Sequence, residues 1–119
     1  MSQQPTPQQT RVRSYLLLSV QRALLGEVTP GLRAVLVRWT SAPDATEPTA
    51  VDAEFFYDDE IDDDDVEHVS EVEGYVAADY QPDVSVTFTP IHLSASRRLP
   101  TVGGEDLLHT EWAYRRFEE

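Results

Sequence analysis

At 119 residues, with 40% apolar and 26% charged residues, the chain has room for one soluble domain with a single modest core. A net charge of −13 works against nucleic-acid binding, which needs clustered cations, and no apolar run approaches the length of about 18 residues that marks a membrane span. The absence of cysteine excludes disulfides, thiolate nucleophiles and thiolate metal sites, and it fits a reducing, cytoplasmic home.

The opening "MSQQPTPQQT" has neither a basic nor an apolar stretch, so no secretory signal is expected, and residues 1–9 read as a disordered tail. The single domain then spans 10–119. From Thr10, a candidate cap, Val12, Leu16, Val20, Ala23 and Leu24 recur at helical spacing, widened by Leu17 and Leu25. Gly26 suits a left-handed stop, and Pro30 lies beyond it. "LRAVLVRW" (32–39) and "AVDAEFFYD" (50–58) predict two strands. In the second, Val51, Ala53, Phe55 and Tyr57 face one way and Asp52, Glu54 and Phe56 the other. The proline-bearing stretch between them is a loop. If the two pair as a hairpin, Arg33 or Arg38 faces Asp52 or Glu54.

"DDEIDDDD" is the densest charge in the chain. With Asp62 as N-cap, Asp65 falls at N3 and can reach back to the cap, while Ile61 can pack on Val66 as a hydrophobic staple. Asp63 and Asp64 meet the positive end of the helix dipole, each for about 0.3–1 kcal/mol. Val66, Val69, Val72, Val76 and Tyr80 carry the helical stripe onward, so a helix over about 62–80 accounts for most of the run. Gly74 weakens it by about 1 kcal/mol relative to Ala. "VSVTFT" (84–89) is a third strand, with Val84, Val86 and Phe88 inward and Pro90 at its end; "LLHTEWAYRRF" (107–117) is a fourth. The order α-β-β-α-β-β predicts an α+β fold, with two helices on one face of a four-stranded, mainly antiparallel sheet.

Charge is unevenly placed. Residues 1–38 carry net +4, residues 39–96 hold sixteen acids and no base, and residues 97–119 carry net −1. That distribution favours a basic partner or plain solubility. All nine bases are Arg, so a lysine Schiff base is excluded. Asp64, His68 and Glu71 share a helix face and could bind a divalent ion, but one face supplies too few ligands, and a solvated polar face accounts for them more simply. As a calcium loop the run fails, because Asp65 stands where the sharp turn needs Gly. No Ser stands in a nucleophile elbow, and the glycines form no phosphate loop. His92 and His109 fall in predicted strands with no evident partner, and Asp79 and Asp83 flank a turn. "EWAYRRFEE" has the residue types of interface hot spots, although a terminal strand buries the same aromatics.

"LLLSVQRALLGEVTPGLRAV" and "FFYDDEIDDDDVEHVSEVEGYVAADY" together resemble a family of small acidic bacterial proteins without assigned chemistry. The likeness covers about residues 14–90, and Asp59 stands where members tend to have Gly. In size, acidity and lack of catalytic motifs the chain is also similar to toxin-neutralising immunity proteins. The expected function is therefore that of a non-enzymatic binding protein without cofactor or catalytic residues. It would contact a basic protein partner through Asp63, Asp64, Glu67 and Glu71. A metal-binding protein or weak metal-dependent enzyme using Asp64, His68 and Glu71 is the alternative, and a housekeeping protein with no localised site a third.

Overall fold

The computed structural model describes residues 6–102 and 109–118. Two helices, α1 (Pro7–Ala23) and α2 (Asp63–Ala78), accompany four strands: β1 (Leu32–Thr40), β2 (Ala50–Tyr57), β3 (Ser85–His92) and β4 (Thr110–Arg115). The order is the predicted one.

The first helix begins earlier than its apolar stripe. Thr6, not Thr10, is the cap: its hydroxyl accepts from the Gln9 amide, and the Gln9 side chain accepts from the Thr6 amide. Pro7 takes the first helical position, where its missing N–H costs nothing. Residues 7–9, expected in the tail, thus belong to the first turn. Beyond the other end, Gly26 adopts the left-handed conformation that its lack of a Cβ permits, at φ +82°.

The sheet order is β3-β2-β1-β4. Strand β1 pairs antiparallel with both β2 and β4, while β3 runs parallel to β2, from Ala50 opposite Ser85 to Tyr57 opposite His92. A parallel neighbour needs a crossover, and α2 supplies it. Strand β3 continues through Pro90, which is tolerated because β3 lies at the edge of the sheet. Of the predicted last strand, 107–108 lie outside the described residues, and the rest is paired only over 110–115.

One face of the sheet and the two helices enclose the main core. Val12, Leu16 and Val20 of α1 and Val69, Val72 and Val76 of α2 meet Val35, Val37, Trp39, Val51, Ala53, Phe55 and Tyr57. Three members of the predicted stripes do not join it. Leu17 is only half-buried, and Leu25 and Val66 are exposed, because each lies to one side of the line that the buried residues of its segment trace.

On the opposite face Ala34, Leu36 and Phe56 are buried under Ile91, Leu93, Leu99, Val102 and Trp112. Trp112 packs on Phe56 at a centroid distance of 6.3 Å, and the Arg115 guanidinium lies 5.1 Å above its ring. Arg38 pairs with Glu54 as the hairpin predicts. Arg33 does not face Asp52 or Glu54. A register shift between Leu32 and Ala34 breaks the alternation there, and the Arg33 side chain is 3% exposed. It donates to both Glu118 oxygens at 2.8 and 2.9 Å and to the carbonyls of Leu93 and Ser94 at 3.0 Å each. Arg116 extends the network to Asp58 at 2.8 Å and to Glu118 at 3.0 Å.

Candidate functional site

The acidic run builds its helix as its spacing predicts. Asp62 is the N-cap; its carboxylate accepts from the Asp65 amide at 2.8 Å, and the Asp65 side chain accepts from the Asp62 amide at 3.2 Å. Asp63, Asp64 and Asp65 fill the first turn and answer the dipole. Burial, ahead of the charge of Asp62, raises the Asp65 pKa. Beneath the turn Tyr57 is buried with no partner for its hydroxyl among the described residues, and burial first, then Asp65, Asp62 and Glu27, push its pKa up.

With Val69, Val72 and Val76 turned to the core, the opposite face of α2 meets solvent. Asp63, Asp64, Glu67 and Glu71 are all exposed there. Asp63, Glu67 and Glu71 line one open groove with Val66, Ser70, Gly74, Tyr75 and Ala78. Asp64, Glu67 and Glu71 line a second with His68 and Glu27, so Glu67 and Glu71 belong to both. None of the four carboxylates makes an ion pair among the described residues.

His68 is not a free member of this face. Its Nδ1 bonds the carboxylate of Glu27, in the turn after α1. That bond chiefly, with added charge from Glu27, Asp64 and Asp65, outweighs desolvation and raises the His68 pKa. Asp64, His68 and Glu71 do line one groove, yet among the described residues no three His, Asp or Glu side chains are arranged to hold a metal ion.

Other acids have structural partners. Glu73 accepts from the Phe88 amide at 2.8 Å and fastens α2 to the edge strand. Asp79 accepts from the Ser19 hydroxyl at 2.5 Å and ties α2 to α1. What the spacing argument missed is apolar. Tyr75 is 59% exposed and lines both the acidic groove and a cleft between the helices that Leu25, 79% exposed, also lines. The only trace of this in the sequence is that Tyr75 sits one residue off the Val72–Val76 line, about 100° round the helix.

The described residues thus form an α+β domain with an open acidic helix face, and no helix among them is long and apolar enough to cross a membrane. The chain belongs to the MafI2 immunity protein family, whose model matches residues 13–118. No curated protein matches it.

Proposed function

We propose that the protein is a non-enzymatic immunity protein of the cytoplasm. It neutralises a toxin by binding it, and the contact is made by the outer face of α2 on a basic surface of the toxin domain. One observation carries this reading: Asp63, Asp64, Glu67 and Glu71 are exposed together and unpaired among the described residues, in a stretch (39–96) that has no base of its own. Asp63 and Asp64 also serve the helix dipole. Glu67 and Glu71 lie past the first turn and have no such duty; as like charges four residues apart they slightly oppose the helix. A surface of this kind speeds encounter with a cationic partner and rejects an acidic one. Family membership supports a toxin as the class of partner, and the charge supports a basic surface on it.

The test is association with a toxin domain encoded beside the gene, inactivated and purified. Replacing both Glu67 and Glu71 by Lys should leave folding intact and slow association, and added salt should slow the unmodified protein in the same way. Cells co-expressing the active toxin should lose protection with that variant. Equal association rates for the two proteins would sink the reading.

A further inference from the structure

The acidic face is bordered toward α1 by exposed apolar groups. Tyr75 stands exposed on α2 at 59%, and Leu25 on the turn after α1 at 79%. Tyr75 is the wall common to the α2 groove and to the cleft between the helices. Beside Tyr75 the groove is open at Gly74, where a Cβ would meet nothing within 4 Å. Internal packing therefore does not require glycine there, and a neighbour can approach the backbone closely. Exposed apolar side chains from two elements, meeting around an aromatic and rimmed by polar groups, are the usual composition of an interface centre.

Building on the proposed acidic-face reading, we propose that Tyr75 and Leu25 form a docking strip. Its occupant is a protein segment that carries an apolar or aromatic side chain flanked by Arg or Lys. The charge complementarity is specific in placement. Glu67 and Glu71 lie on α2 beside Tyr75, and Glu27 and Asp79 line the cleft together with Arg22, so the cations of the occupant sit over α2 and its apolar group on Tyr75. A second copy of this chain does not fit, because it would bring its own Glu67 and Glu71 onto like charges. The carboxylates govern how fast the occupant arrives, and the strip governs how long it stays.

The probe is a short helical peptide of Ala and Arg with one central Trp, measured on the full chain beside an analogue in which that Trp is Ser. Tyr75→Ala and Leu25→Ser should each speed dissociation of the Trp peptide about tenfold and change association less than about twofold. Glu67→Gln with Glu71→Gln should do the reverse, and the Ser analogue should leave as fast from the unmodified protein as the Trp peptide leaves from Tyr75→Ala. Circular dichroism of each variant establishes that the fold is retained. If the Gln variant slows association while Tyr75→Ala changes nothing, the strip is refuted and the acidic-face reading stands. Should Tyr75→Ala act while the Gln variant does not, the strip holds and the acidic-face reading falls. Equal dissociation of the two peptides from the unmodified protein, or binding by neither, overturns the strip.

Discussion

Arg33 shows most directly how one residue can close the fold. Its guanidinium is buried against the sheet, and its donors reach Glu118 near the chain end and the Leu93 and Ser94 carbonyls after β3. It joins two segments that no strand pairing connects. Replacing Glu118 by Ala should cost about 2 kcal/mol, the scale of hydrogen bonds to a charged group, as read from urea denaturation. The pH dependence follows from the same contact. Arg33 first, then Arg116, bring the Glu118 pKa from its ordinary 4.5 to about 2. A depressed folded-state pKa means that this stability is complete above 4.5 and is lost as the pH falls toward 2. Glu118→Gln should therefore show a flatter loss of stability across that window than the unmodified protein. At the same scale, Asp62→Ala removes the cap of α2 and should cost about 1 kcal/mol, whereas Gly74→Ala, unhindered and mid-helix, should raise stability by a similar amount.

At the scale of the element, α2 divides its valines between two fates. Val72 is fully buried, and Val72→Ala should cost about 2 kcal/mol through lost contacts and the cavity left behind. Val66 is half exposed, so Val66→Ala should stay within about 0.5 kcal/mol of neutral. The helix is also pinned from outside by the His68–Glu27 pair. The His68 pKa is raised above its ordinary 6.5, so the stability from this pair is complete below 6.5 and fades as the pH rises through the raised value. Replacing His68 by Gln should remove that dependence, which proton-detected titration of the ring and melting temperatures on either side of neutrality would reveal.

For the whole molecule the governing quantity is the −13 charge and its concentration in residues 39–96. Compacting like charges destabilises a fold, and salt screens them over a Debye length of about 8–10 Å. The pairs Arg13–Glu111 and Arg38–Glu54, both partly open to solvent, contribute little that screening could remove. The melting temperature should accordingly rise between low and physiological salt, while association with a basic partner slows over the same range. An unchanged or falling melting temperature would mean that the ion pairs, not the repulsion, dominate the field.

Periodicity and capping chemistry make much of this protein legible in its sequence. The capping box at Asp62 and Asp65, the buried line Val69–Val72–Val76, the inward alternation of β2 and the α+β order all depend on neighbours within a few residues, and local rules reach that far. The exposed carboxylates Asp63, Asp64, Glu67 and Glu71 were legible for the same reason, since the face opposite an apolar stripe is solvated. Thr6 escaped because a capping box outside the apolar stripe looks like tail. The tertiary structure alone decided the parallel pairing of β3 with β2, the burial of Arg33 against a carboxylate 85 residues away, the engagement of His68 by Glu27, and the exposure of Tyr75 beside Leu25. Each of these joins residues far apart in the chain. Whether a side chain is core, clasp or surface then depends on which distant element packs over it, and residue spacing carries no information about that.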